Sequence, residues 1–163
     1  MPRKTRYQAA IIHDNHILLI QHREYGNGRA YWLLPGGGIE AGETEIHCVQ
    51  REVREETNLV VRVEGLLLDE SPQYYDGGIY QRFKTYLCRP ITNDAYPGYE
   101  PEPEAAAKYE IADVGWFSIN DETTWNELIV NDPIIAPALR RIRAALEKAD
   151  TDSPGMTGTN EIA

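Results

Sequence analysis

The sequence predicts an α/β domain, with a mixed sheet held between helices, and three stretches predict it. Ile17-Leu18-Leu19-Ile20 is a continuous apolar block, the pattern of a strand covered on both faces. Between Thr44 and Asn58 no proline or glycine interrupts a helical run. Tyr80, Arg82, Lys84 and Tyr86 alternate with Phe83, Thr85 and Leu87 at the two-residue period of a strand. The order is strands, helix, strands, long loop, strand, helix, closer to α+β than to the regular strand–helix–strand alternation of a doubly wound sheet.

Taken in order, residues 7–13 and 16–23 are strands joined by Asp14-Asn15, a two-residue hairpin turn. A short strand at 31–34 delivers Pro35 and three glycines. In the helix that follows, Thr44 is the expected N-cap and Asn58 the expected left-handed terminator. Strands are expected at 59–68 and 79–88, separated by a turn-rich loop with Tyr74, Tyr75 and Asp76-Gly77-Gly78. Residues 89–111 form the longest irregular stretch, with four prolines and the acidic run Glu100, Glu102, Glu104. A strand at 114–119 and a short helix at 121–129 precede the last helix, which Asp132-Pro133 opens and Pro137 is expected to kink. The domain is expected to span 1–149, and the polar 150–163 to be a disordered tail.

The helix carries the chemistry. At about 100° per residue Ile46, Val49 and Val53 share the face expected to be buried, while Glu52, Glu55 and Glu56 crowd on another arc. Glu52 and Glu56 are a like-charged i,i+4 pair, worth a few tenths of a kcal/mol against the helix. Arg51 can pair with Glu55, and Arg54 points elsewhere. A glutamate-rich run is most often a solvated helix face. Here the glycine turn immediately upstream favours a cation instead, and hard oxygen ligands suit Mg²⁺.

The spacing Gly37, five residues, Glu43, seven residues, Arg51-Glu52-Val53-x-Glu55-Glu56 resembles the Nudix box. The one departure is Asn58-Leu59 where the box ends Gly-hydrophobic; Asn tolerates the same positive φ. The resemblance covers roughly residues 32–59 at motif level and 6–148 by element order. It implies the Nudix fold and a Mg²⁺-dependent hydrolase (Mn²⁺ being a substitute) of a nucleoside diphosphate linked to another moiety: in weak order of preference a nucleoside triphosphate, a dinucleoside polyphosphate or a nucleotide sugar such as ADP-ribose. It implies that Glu52, Glu55, Glu56 and the carbonyl of Gly36 are metal ligands, and that Arg51 pairs with Glu43, which also acts near the metal. The family often adds a loop carboxylate, for which Glu102, Glu104 and Glu110 are the candidates. A non-catalytic nucleotide-binding sensor of the same fold is the alternative, disfavoured by the intact glutamate set.

Outside the box, Arg23 ends its strand where it can hold a substrate phosphate, or serve as a plain surface arginine. Tyr74, Tyr75 and Tyr80 are candidates to stack on a nucleobase, and equally are ordinary strand and loop tyrosines. The chain has 16 Lys and Arg against 26 Asp and Glu, a net charge of −10, which argues against long nucleic acid as a partner but not against a small nucleotide. No apolar run approaches a membrane span, and His13 to His16 break up any signal-peptide core, so a cytoplasmic protein is expected. Cys48 and Cys88 are too few for a disulfide framework or zinc site. A monomer and a homodimer fit the sequence equally.

Overall fold

The computed structural model describes residues 4–72 and 79–152. Strands β1 (Lys4–His13) and β2 (His16–Glu24) form the expected hairpin. Asp14 and Asn15 both take positive φ, 49° and 60°, the backbone a two-residue hairpin turn requires. Strands β3 (Ala30–Leu33) and β4 (Gly36–Gly37) lead into helix α1 (Glu45–Thr57). Then come β5 (Val61–Glu70), β6 (Tyr80–Pro90), α2 (Pro103–Ala106), β7 (Tyr109–Ser118), α3 (Glu127–Val130) and α4 (Ile135–Thr151). Tyr74 and Tyr75 lie outside the described residues, as does the chain beyond Asp152.

The sheet is mixed, in the order β3-β2-β1-β6-β5, with β4 added to β1 and β7 to β2. β1 is antiparallel to β2 only at the hairpin end, Ile12 with Ile17, and parallel to β6 from Lys4 to Ile11. Alternation explains why the second half of β1, Ala9–Ile12, and the middle of β2, Ile17–Ile20, are apolar at every position. Ala9, Ile11 and Leu18 face Val49, Val53 and Leu59 on the α1 side. Ala10, Ile12, Ile17 and Leu19 pack with Ile129, Leu139 and Ile142 of α3 and α4 on the other. The sheet therefore lies between two helical layers, each strand face finding its own core.

Towards the C-terminus the structure departs from the sequence reading in the helices. The expected helix at 121–129 divides into a 3-10 turn, Glu122–Thr124, and α3, because Trp125 takes an extended conformation and buries its ring between them. α4 starts at Ile135, and Asp132 caps it by accepting from the amides of Ile134 and Ile135 at 2.7 and 3.0 Å. Pro137 thus falls in the first turn, where amides have no partner within the helix, and costs no hydrogen bond. α4 continues through Thr151, beyond the expected end at Ala149.

The irregular stretch is also shorter than expected, since β6 reaches Pro90, α2 interrupts the loop and β7 begins at Tyr109. Its remaining part has a definite task. The amides of Tyr96, Gly98 and Tyr99 donate to the carbonyls of Thr57, Glu56 and Glu55 at 3.1, 2.9 and 2.9 Å. These belong to the last turn of α1, whose carbonyls have no acceptor role left inside the helix. A Cβ on Gly98 would land on the Glu55 carbonyl, so only glycine allows this approach. Asn58, in the left-handed region at φ 63°, adds a side-chain bond to Tyr96 O at 3.0 Å.

Asn58 thus serves twice, as helix terminator and as anchor of the loop. Asn58→Gly, which keeps the backbone, should cost under about 1 kcal/mol of unfolding free energy. Asn58→Ala, which also meets the left-handed penalty, should cost about 2 kcal/mol. Urea titrations of the three proteins check the order.

Candidate functional site

Two glycines let the helix reach the sheet. Gly36 and Gly37 of β4 pair with Gln8 and Tyr7 of β1. A Cβ on Gly37 would overlap the carboxylate of Glu52, so the bare backbone is what admits that side chain. Next to it the Gly36 amide donates to Glu56 Oε1 at 2.7 Å. At the helix start, Thr44 accepts from the His47 amide at 3.2 Å, and Glu45 is held by the Tyr86 hydroxyl at 2.5 Å and Lys84 at 3.1 Å.

The buried arc of α1 keeps Val49 and Val53 from the apolar arc read from the sequence but not Ile46. It comprises Cys48, Val49, Glu52, Val53, Glu56 and Thr57, while Ile46 is 46% exposed. Two of the three clustered carboxylates are therefore turned into the protein, Glu56 with only 1% exposure. Glu52 and Glu56 lie one helical turn apart on the line that faces the glycine strand. Ile46 projects about 100° away from that line and sits in the first turn, where Glu45 takes the contacts to β6.

Arg51 gathers the rest. Its guanidinium grips Glu43 with two bonds, at 2.7 and 3.0 Å, reaches Glu52 at 3.0 Å and Glu55 at 3.2 Å, and donates to Gly38 O at 3.1 Å. The pairing with Glu52, its chain neighbour, escapes an i,i+4 reading because it depends on the long side chain folding back along the helix. The ion pairs of the cluster converge on Arg51; among the described residues none is made to Glu56.

These contacts set the charges. The hydrogen bonds from Arg51 hold the Glu43 carboxyl below its usual range. Burial pushes Glu52 up to about 7, with Arg51 opposing and Glu55 adding to the rise. Burial raises Glu55 as well, against Arg51. Glu56, wholly enclosed, is pushed well above the carboxylate range by burial first, with Arg6 opposing and Glu52 reinforcing. Hard oxygen donors that burial leaves short of positive charge suit a divalent cation. Among the described residues no three acidic, histidine or cysteine side chains already close around one point, since Glu52 and Glu55 are turned to Arg51.

Further residues surround this cluster. Arg6, missed in the sequence, donates to Leu34 O at 2.9 Å and lies 5.8 Å from the Tyr80 ring. Its charge acts on Glu52, Glu56, His22, Tyr80 and Tyr109 alike. Tyr80 sits by the glycine turn, its hydroxyl 3.7 Å from where a Gly38 Cβ would be. Of the loop carboxylates it is Glu100 that lies next to the helix carboxylates. Its charge raises Glu55 and Glu56, and it accepts from the Tyr109 hydroxyl at 3.1 Å. Glu102 caps α2 and acts more weakly, on Tyr80; Glu104 is exposed in α2; Glu110 pairs with Arg23 at 3.8 Å. Strand alternation puts Arg23 and His22 on opposite faces of β2, and it is His22 that contacts the Tyr109 ring. Glu100 was visible in sequence only as one of an acidic run.

The raised carboxylates have a consequence for stability. A carboxyl with a raised folded pKa binds a proton in the folded state that the unfolded chain has released, so it costs stability as pH rises from about 4.5 to about 7. His22, lowered to about 3 by burial, acts oppositely, adding stability as pH rises towards 6.5. Comparing variants cancels His22. Relative to wild type, metal-free Glu52→Gln should gain stability from pH 5 to pH 8, measured by urea unfolding in EDTA.

Residues 3–138 match the family model of the NUDIX domain. The ADP-ribose pyrophosphatase of Methanocaldococcus jannaschii is 46% identical over 54 residues, 33% of this chain and 31% of that protein. An NAD-capped RNA hydrolase NudC of Vibrio parahaemolyticus is 29% identical over 143 residues, 88% of this chain and 45% of the other. The chain thus spans under half the length of these relatives. Among solved structures, a MutT NUDIX hydrolase from Burkholderia pseudomallei superposes with a TM-score of 0.61 at 26% identity, covering 86% of this chain and 98% of that one. A NUDIX hydrolase from Nitrosomonas europaea, 22% identical over 94% of this chain and 76% of its own, shares the fold at a TM-score of 0.67. With its sheet between helical layers, its glycine strand against Glu52 and Glu56, and its family match over most of its length, the chain belongs to the Nudix family.

Proposed function

We propose that the chain is a Mg²⁺-dependent pyrophosphohydrolase acting on nucleoside diphosphates linked to a second moiety. One observation carries the reading: Glu56 is fully enclosed, bonded to the Gly36 amide, and next to Glu52, with Arg51 already shared among other carboxylates. Carboxyls buried and crowded in this way are held from their charged form and cost the fold stability unless a cation takes the place of their protons.

Glu52, Glu55, Glu56 and the Gly36 carbonyl would hold the ion. When bound, Mg²⁺ neutralises phosphoryl oxygens and orients them for displacement by water. Arg51 and Glu43 tie the glycine turn to the helix and so hold the donors in register. Glu100, whose charge reaches the same cluster, would take the proton of the attacking water. Arg6 supplies positive charge to the cluster while its guanidinium is held on the Leu34 carbonyl.

The named relatives act on molecules with a pyrophosphate between two moieties, ADP-ribose in one and NAD-capped RNA in the other. That supports nucleotide-linked diphosphates ahead of nucleoside triphosphates and dinucleoside polyphosphates. Among the described residues no helix is long and apolar enough to cross a membrane, which fits a protein that meets small nucleotides in the cytoplasm.

A nucleotide panel with Mg²⁺ or Mn²⁺ tests the reading. Glu56→Gln keeps an oxygen for the Gly36 amide but removes the charge. It should lower kcat by two or more orders of magnitude, about 3 kcal/mol of transition-state stabilisation. Its melting temperature should be unchanged or higher. Full activity in the variant would refute the assignment of Glu56, and binding without turnover across the panel would point to a sensor.

A further inference from the structure

Beside the carboxylate cluster lies a pocket that the box does not use. It is about 640 Å³, within the size range of small-molecule sites, and opens between the β2–β3 loop and the start of β7. Three aromatic rings, Tyr25, Tyr31 and Tyr109, line it, with Glu24, Asn27 and Lys108. The wall is built, not incidental. The Tyr25 amide donates to Lys108 O at 2.9 Å, fastening the loop to the α2–β7 junction. The Glu24 and Gly28 amides close the loop on itself, to Arg29 O at 2.8 Å and Glu24 O at 3.0 Å.

Behind the rings stands His22. It is stacked on Tyr109, with centroids 4.0 Å apart and planes 19° from parallel, and meets Tyr31 edge-on at 5.5 Å. It is 3% exposed, and its Nε2 has no hydrogen-bond partner among the described residues. Burial keeps this ring neutral at physiological pH. The pocket floor is therefore a stack of uncharged π systems.

Tyr109 is common to the pocket and the cluster. Its ring lines the first, and its hydroxyl donates to Glu100, two residues from Gly98, whose amide caps the Glu56 carbonyl. The other stacking tyrosine that can be placed, Tyr80, is held by Arg6 beside the glycine turn, closer to where phosphates would lie.

We infer that this pocket seats the nucleobase of the substrate, its flat ring lying against Tyr25, Tyr31 or Tyr109, while the carboxylate cluster takes the pyrophosphate. The inference rests on the proposed hydrolase reading for the position of the pyrophosphate, but its test does not. Base stacking needs only π faces, so it tolerates several bases. The carboxylate of Glu24, an acceptor only, and the ammonium of Lys108, a donor only, stand at the rim to choose among them.

Tyr25 is the residue to change. It is 58% exposed, and the bond it makes to Lys108 runs through its backbone, so Tyr25→Ala keeps the loop closure. Calorimetric titration with AMP, GMP, CMP and UMP, in EDTA, reads the pocket without turnover. At least one should bind wild type, and Tyr25→Ala should weaken it about tenfold. With a nucleotide-linked diphosphate as substrate, KM should rise more than kcat falls. If nothing is hydrolysed yet Tyr25→Ala still weakens nucleotide binding, the hydrolase reading fails and the pocket stands. If no monophosphate binds wild type, or if Tyr25→Ala and Lys108→Ala both leave the affinity unchanged, the pocket assignment is overturned.

Discussion

A single guanidinium holds the site together. Arg51 touches Glu43, Glu52, Glu55 and the Gly38 carbonyl, with Glu40 at 3.7 Å. One positive charge cannot neutralise all of these, and it does not reach Glu56. Arginine suits this position because its planar fork spreads donors over several acceptors at once, where a lysine would present a single point of charge. By bonding both the segment before the helix and the carboxylates on it, Arg51 makes the glycine turn and α1 one rigid unit. Glu56, beyond its reach, is enclosed by that same rigidity.

The far end of the helix is governed by a different interaction. Three carbonyls of its last turn receive amides from the loop after β6, and Gly98 allows the contact. This fixes the C-terminal end of α1 and at the same time carries Glu100 to the carboxylates and Tyr109 to the pocket. Substrate groups on the two sides of a pyrophosphate would thus meet surfaces anchored on the same helix. A change in the loop should be felt by chemistry and selectivity together.

How much of this was legible follows from how local each signal is. Asp14-Asn15, Thr44 and Asn58 act through backbone conformations and hydrogen bonds within a few residues, and each takes the conformation read for it. The apolar block at Ile17–Ile20 is likewise a direct trace of burial on both faces. The burial of Glu56 was not legible, because a helical projection ranks faces by hydrophobicity and this face was chosen by the glycine strand. Arg6 and Glu100 were hidden for a related reason. Nothing near them in sequence distinguishes Arg6 from the basic residues around it, or Glu100 from Glu102 and Glu104. Only the pairing of β1 with β6 and the loop's docking on α1 bring them to the cluster.

In the proposed reading, burial has prepared the carboxylates of α1 for a divalent cation and holds protons in its place. Mg²⁺ binding at pH 7 should then displace protons, because burial raises Glu52 to about 7 and holds Glu56 well above the usual carboxylate range. Calorimetric titration of the metal-free protein with Mg²⁺, repeated in two buffers of different ionisation enthalpy, counts them directly. Net proton release is expected, and it should shrink in Glu56→Gln. Tight Mg²⁺ binding with no proton release, or no Mg²⁺ binding to the wild-type protein, would contradict it.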